Sequence, residues 1–258
     1  MEEIKTAVIL CGGRGTRLGV LGKKIAKTLI LVHAKPILWF ILKFLKKQGF
    51  NHFILPVGFK GDKIIRYIRS NSDFKNYNVD IINTGQNTSI AERIYKIKNY
   101  IKSEDFLLTN GDAIFDSNIK KIFINHVKTK IDMSFICSKA QADFGTITVQ
   151  KGKILNFKRE LVFDSVSIKN NNVKNYVYSG MAIMNKKILF KEKFSKIENF
   201  EKNFYPIIIK KYECKIYYLK GFWYAMDSIK DIESANNKDI NADAYNKINR
   251  LLKRLNDK

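Results

Sequence analysis

Apolar and polar positions along the chain alternate between two periods. Thr6-Ala-Val-Ile-Leu-Cys11 is an unbroken apolar run that stops at Gly12-Gly13, the pattern of a strand buried on both faces and ending in a loop. After Pro36, residues Ile37, Leu38, Ile41, Leu42 and Leu45 recur at helical spacing until Gly49 breaks the pattern. Phe53 to Val57 predicts the next strand, with Pro56 an irregularity, and Asp62 to Arg69 a helix presenting Ile64, Ile65 and Ile68. Val79 to Ile82 is again strand-like. Ser89 to Ile101 predicts a helix capped by Ser89, with Ile90, Ile94, Ile97 and Ile101 facing inward, and Asp105 to Thr109 another strand. Repeated strand-then-helix units predict an α/β fold, a mostly parallel sheet flanked by helices on both faces.

Beyond about residue 140 the rhythm changes. Short strand-like pieces at 145–149, 153–157 and 177–184 are separated by turn residues such as Lys151-Gly152 and Asn170-Asn171-Asn172. From Asp227 onward the chain is helix-rich, and Ile248, Leu251, Leu252 and Leu255 form a stripe that suits either core packing or a subunit contact in a homo-oligomer. With no internal repeat and no linker, the reading is one domain over 1–258. Residues 1–140 would form a nucleotide-binding half, 141–227 a small β-rich acceptor side, and 228–258 a helical C-terminus.

Composition narrows the class. A chain of 258 residues with 45% hydrophobic positions, 18 Phe and 12 Tyr has ample material for a core. Three widely spaced cysteines, Cys11, Cys137 and Cys214, do not form a disulfide framework and suit a reducing, cytoplasmic compartment. No targeting signal and no apolar run of the roughly 18 residues needed to cross a bilayer appears, so no membrane partner is expected. The net charge of +23 would suggest nucleic acid. However, only eight of the 47 basic residues are Arg, the lysines are spread along the chain, and no zinc-finger, RNP or basic-zipper pattern is present. No nucleic-acid partner is therefore expected, whereas a positive field would attract small phosphorylated substrates.

Candidate chemistry concentrates in Gly12-Gly13-Arg14-Gly15-Thr16-Arg17-Leu18. Glycines directly after a buried strand let backbone N–H groups approach an anion, and Arg17 adds a fixed charge. The string is neither a dinucleotide fingerprint nor a Walker A loop. Asp112, following Phe106-Leu107-Leu108, should stand at the carboxyl end of a strand, where open α/β sheets bind ligands, although an Asp there is more often a helix cap. Asp116 and Asp231 read as capping or surface carboxylates. His33, His52 and His126 lack ligand spacing and read as structural, with no zinc. Cys11 should pack beneath the glycine loop and Trp39 in the core.

The glycine-rich string resembles that of the sugar-phosphate nucleotidyltransferases, whose pattern continues to a Lys-Pro pair; Lys27 matches its lysine. Lys35-Pro36-Ile37-Leu38-Trp39 resembles an element of the glucose-1-phosphate cytidylyltransferases in particular. Gly58-Phe59-Lys60-Gly61, Thr84-Gly85, Thr109-Asn110-Gly111-Asp112, Phe144-Gly145, Ser179-Gly180 and Gly221 to Asp227 recur in that subgroup's order, over roughly residues 5–235. The resemblance implies a Rossmann-like nucleotidyltransferase sheet and a Mg2+-dependent transfer of CMP from CTP to a phosphorylated small molecule, releasing pyrophosphate. It implies Arg17 and Lys27 as catalytic cations and Asp112 and Asp227 as metal ligands. Leu10, Gly12, Gly13, Gly15, Thr16, Thr84, Gly85, Gln86, Arg93, Gly111 and Asp112 would bind the nucleotide, Gln86 being able to offer both a donor and an acceptor to a pyrimidine. Gly145, Lys158, Tyr178, Gly180 and Trp223 would bind the acceptor.

The pattern departs in two acceptor-side places. Where sugar 1-phosphate enzymes carry Glu-Lys-Pro, this chain has Lys158-Arg159-Glu160-Leu161, and Val177-Tyr178-Ser179-Gly180-Met181 replaces an Asn-Gly-Gly type of segment. The stretch 69–79 is also shorter. These changes lead to the expectation of a non-sugar acceptor such as L-glutamine phosphate, by similarity to the CTP:phosphoglutamine cytidylyltransferases of capsular phosphoramidate formation. The alternatives are a sugar 1-phosphate acceptor, giving a CDP-sugar, and a nucleotide-binding regulatory protein without turnover.

Overall fold

The computed structural model describes residues 3–141, 146–150, 153–158, 162–163, 166–167, 174–193 and 199–257. Seven strands build its main sheet: β1 (Thr6–Leu10), β2 (His52–Val57), β3 (Val79–Asn83), β4 (Asp105–Asn110), and then β6 (Met133–Ser138), β7 (Val177–Asn185) and β8 (Cys214–Tyr218). Between β4 and β6 lies β5 (Ala113–Asp116), and after β8 comes β9 (Phe222–Ala225); these two pair with each other outside the main sheet. The spatial order is β8-β6-β7-β4-β1-β2-β3. β1 runs parallel to β2 and β4, and β3 parallel to β2. The second half is mixed, because β7 is antiparallel to both β4 and β6 while β8 is parallel to β6.

The main helices are α1 (Ile37–Lys47), α2 (Gly61–Ser70), α3 (Ile90–Ile97), α4 (Ile119–Thr129), α5 (Tyr205–Lys211), α6 (Ile229–Asn236) and α7 (Ala242–Asn256). Both faces of the sheet are covered, which is why β1 reads as a continuous apolar run rather than an alternating one. Ala7 and Ile9 point into a core with Trp39, Phe40 and Phe44 of α1 and with Ile248, Leu251 and Leu255 of α7. Val8 points to the other face, against Ile94 and Ile97 of α3, Phe204 from the turn leading into α5, and Ile208 of α5 itself. The C-terminal stripe is thus core of this chain, with Ile248, Leu251 and Leu255 at 1% exposure or less. Trp39 is fully buried and its indole N–H donates to Asp73.

The parallel units match the sequence pattern closely, and Ser89 caps α3 by accepting from the Glu92 N–H. One inward position does not hold: Ile90, the first residue of α3, is 39% exposed. Its turn sits at the mouth of a cleft, where the helix has not yet reached the sheet. Pro56 lies inside β2, between the last β1–β2 ladder pair, Val8 with Ile54, and the isolated bridge from Cys11 to Val57. The segment 113–138, which hydrophobic periodicity leaves unassigned, forms β5, α4 and β6.

The histidines are structural. His52 bridges Thr6 and Asp80, tying β1 and β3 to β2, and burial lowers its pKa. His126 links Ser134 and Asp105, and His33 reaches the Ala235 carbonyl. Among the described residues no helix is long and apolar enough to cross a membrane.

Candidate active site

β1 lies between β4 and β2, so the chain crosses over from one side of β1 to the other between β3 and β4. The carboxyl ends of β1 and β4 therefore diverge at a switch point, where open sheets leave a crevice. In register, Leu10 stands beside Asn110. A cleft of about 740 Å³ opens there, lined by 10–18, Lys27, Thr28, 86–90, Arg93, 110–112 and 199–201.

The glycine loop is shaped from below by Arg93. A side chain on Gly12 would place its first carbon 2.3 Å from the Arg93 guanidinium carbon, so only glycine lets the loop lie over that group. Arg93 is 4% exposed and donates to the Gly12 carbonyl at 2.9 Å, the Val57 carbonyl at 3.3 Å and Thr84 Oγ1 at 2.5 Å. Burial lowers its pKa. It ties together the ends of β1, β2 and β3, so its place is the floor of the cleft, with one bond holding the loop at Gly12. Cys11 is buried alongside, its thiol pushed far up by burial and therefore unreactive.

Two carboxylates 115 positions apart in the chain meet because β5 and β9 form an antiparallel ladder in which Ala113 faces Ala225. Asp112 directly precedes Ala113 and Asp227 follows Ala225 by two residues, and the Met226 N–H between them donates to the Asp112 carbonyl at 2.8 Å. Lys27, on a short turn over Lys27–Leu29, donates to Asp112 at 2.7 Å and to Asp227 at 2.8 Å. Arg17 reaches the other oxygen of Asp227 at 3.1 Å. Burial would push the Asp227 carboxyl up, but Lys27 and Arg17 outweigh it and hold the group below the ordinary carboxylate range. Asp231 fixes the same residue from behind by accepting the Asp227 N–H within the capping box at the start of α6. Asp116 instead takes a forked ion pair from Arg254.

Of the sequence-predicted residues, the cleft gathers Leu10, Gly12, Gly13, Gly15, Thr16, Arg17, Lys27, Gln86, Arg93, Gly111 and Asp112 along its wall, with Asp227 joined through its ion pairs. Thr84 and Gly85 do not line it: Thr84 is buried on the Val57 carbonyl, and Gly85 faces a neighbouring hollow of about 290 Å³ that also touches Gln86. Two of the residues expected on the acceptor side, Tyr178 and Trp223, do not line the cleft. Tyr178 turns to the helical face, where its hydroxyl meets Tyr205 at 2.8 Å and its ring packs on Phe135 and Tyr205. Tyr178 lies on the same face of β7 as Ala182 and Met184, and a bulge follows it: Tyr178 pairs with Cys137 and Met181 with Ile136, so Ser179 and Gly180 are extra residues. Trp223 packs against the first core, its indole N–H buried without a partner among the described residues. Gly180 stays near the site. Its φ of +75° requires glycine there, and so does Asn110, whose Nδ2 lies 2.6 Å from the point where a Cβ would stand. Gly145 lies outside the described residues, and of Lys158 only the backbone is described, paired with Thr146.

The structure adds residues that the sequence did not single out. Arg14 donates to Asn87 across the cleft mouth, and its place inside the glycine string was a signal for it. Asn110 directly precedes the Gly-Asp pair. Asn199 and Glu201 also line the cleft, and nothing in their local sequence marks them. Among the described residues no group of three or more His, Cys, Asp or Glu stands together for a metal.

A family model described as nucleotidyl transferase matches residues 6–242, so the chain belongs to the nucleotidyl transferase family. It is 30% identical over 251 residues to a Bacillus subtilis protein named "Probable glucose-1-phosphate cytidylyltransferase", covering 89% of this chain and 94% of that one. It is 24% identical to the glucose-1-phosphate cytidylyltransferase of Salmonella typhi, over 87% and 92% of the two chains. A crystal structure of HddC from Yersinia pseudotuberculosis complexed with GMP-PN shares the fold, with a TM-score of 0.67, 23% identity, and coverage of 90% and 98%. The protein is accordingly a nucleotidyltransferase, an enzyme.

Proposed function

We propose that this nucleotidyltransferase moves CMP from CTP to the phosphate of a sugar 1-phosphate, with glucose 1-phosphate as the first candidate, and releases pyrophosphate. The observation that carries the reading is the convergence of Lys27, Arg17, Asp112 and Asp227 at the end of the glycine loop. The choice of CTP and of a hexose acceptor draws its support from the two cytidylyltransferase relatives. The expectation of L-glutamine phosphate rested on the altered segments 158–161 and 177–181, and the two relatives, both named for glucose 1-phosphate, favour the sugar acceptor instead.

Asp112 and Asp227 fit magnesium: both carboxylates already reach one ammonium group, so their oxygens converge on a single cationic point. Two hard oxygen ligands suit an ion that completes its shell with water and phosphate oxygens. When bound, Mg2+ would neutralise and orient the triphosphate oxygens. In the reaction, an oxygen of the acceptor phosphate bonds to the α-phosphorus of CTP while the α–β bridging bond breaks, and the electron pair leaves with pyrophosphate. The attacking phosphate is already ionised, so no side chain has to remove a proton. Backbone N–H groups of 12–15 would hold the phosphate chain. Lys27 and Arg17, exchanging carboxylate partners for phosphate oxygens, would stabilise the charge that develops at the α-phosphate. Gln86, at the boundary of the cleft and the neighbouring hollow, would face the base.

The test is Mg2+-dependent pyrophosphate release with CTP, UTP, dTTP, ATP and GTP, each against glucose 1-phosphate, phosphocholine and L-glutamine phosphate. Release with CTP and glucose 1-phosphate is expected. Release only with L-glutamine phosphate would restore the non-sugar acceptor, and release only with GTP would overturn the base.

A further inference from the structure

We infer that Glu201 reads the hydroxyl groups of the acceptor, and that it selects a polyol phosphate over an acceptor carrying further negative charge. This inference rests on the sugar 1-phosphate reading above.

The cleft is built for anions, with Arg14, Arg17 and Lys27 on its wall. Two of the carboxylates at it are committed, Asp112 to Lys27 and Asp227 to Lys27 and Arg17. Glu201 is different. It lines the same cleft, yet its side chain makes no hydrogen bond or ion pair among the described residues. A free carboxylate in a phosphate-binding cleft opposes the binding of every anion, so its presence there calls for a ligand group it can receive. An ionised carboxylate only accepts hydrogen bonds, and its two oxygens can take a neighbouring pair of hydroxyls. Such bonds to a charged group are stronger than neutral ones and repay part of that repulsion.

The backbone holds Glu201 in a fixed place. It belongs to the turn Phe200–Phe204 that leads into α5, whose residues Phe200, Phe204 and Tyr205 are buried, with Asn199 capping the start by accepting the Lys202 N–H. The apolar anchors on one side leave Glu201 exposed to the cleft on the other. Burial and the charge of Asp112 raise its pKa, and Arg17 opposes them. Glu201 comes from the chain between β7 and β8, the acceptor side, whereas the glycine loop and Asp112 come from the parallel side. A role confined to the helix would be the favourable charge of an acidic residue in a first turn, and that role would not touch substrate constants.

The experiment compares wild type, E201Q and E201A in pyrophosphate release from CTP, with glucose 1-phosphate and its series of mono-deoxy analogues as acceptors. E201A is expected to raise the acceptor KM about tenfold or more, with E201Q between, while the KM for CTP stays within about twofold. One deoxy analogue should cost the wild type about tenfold in kcat/KM and cost E201A nothing further, since the partner of the missing hydroxyl is already gone. Unchanged acceptor constants in E201A and E201Q, with melting temperatures near wild type, would overturn the inference and leave the proposed function standing. A better constant for L-glutamine phosphate than for any sugar 1-phosphate in the wild type would overturn the acceptor reading and the inference with it.

Discussion

The two halves of the sheet deliver their functional residues in different ways. In β1 to β4 the strands run parallel, so each carboxyl end opens on the same edge, and the glycine loop, Gln86 and Asp112 arrive there directly from the order of the chain. In β6 to β8 directions are mixed, and what faces the cleft depends on a bulge at Ser179-Gly180, a separate ladder between β5 and β9, and the turn before α5. In the first half the glycine string and the Gly111-Asp112 pair therefore reach the cleft, with Thr84-Gly85 the exception, whereas a motif in the second half places only its backbone. Asp227 escapes this rule because the ladder just before it ends with Ala225 opposite Ala113, the residue after Asp112.

The largest expected effect tests the junction of the halves. Asp112→Ala and Asp227→Ala should each lower pyrophosphate release by about three orders of magnitude, the scale of losing a preorganised electrostatic group, with a melting temperature close to wild type because both side chains are partly exposed. Near-normal turnover in both would break the junction. The next effect lies in the parallel half and is structural. Arg93→Ala should cost about 3 kcal/mol or more of stability by denaturant titration, since the donor to three buried acceptors is removed. Arg93→Lys should recover little, because an ammonium cannot reproduce the guanidinium fork. A stable Arg93→Ala with a selectively raised KM for CTP would mean that Arg93 reaches the nucleotide after all. The smallest effect lies in the mixed half. Tyr178→Phe should cost about 1 kcal/mol through its bond to Tyr205 and leave the constants for CTP and acceptor unchanged; a raised acceptor KM would return Tyr178 to the pocket.

The same contrast explains what the sequence could reveal. The run 6–11, the face of α1 and the spacing of α2 and α3 follow from local periodicity, because both faces of that sheet are buried and every apolar position has somewhere to go. Ile90 departs from the pattern at a helix end, where periodicity carries no information about the cleft. Asp112 was legible from its place after an apolar strand, but its contact with Lys27 spans 85 positions and that of Lys27 with Asp227 spans 200, and the two carboxylates meet only through the β5–β9 register. Arg93 was legible as a matched arginine and not as the floor of the loop, since burial of a charge is fixed by three separate strand ends. Tyr178 and Trp223 stand elsewhere than expected because an aromatic beside a motif looks alike whether it faces a ligand or a core. Glu201 carried no signal: an acidic residue in a first helical turn is ordinary, and only the packing of Phe200, Phe204 and Tyr205 aims it at the cleft.

The claim on which the rest depends is that Asp112 and Asp227 form one cation site shared with the nucleotide phosphates. The direct measurement is a Mn2+ titration by electron paramagnetic resonance in the presence of CTP, on wild type, Asp112→Ala and Asp227→Ala. Tight Mn2+ binding in the wild type, weakened in both variants, is the predicted result, and binding that is the same in all three proteins would contradict it.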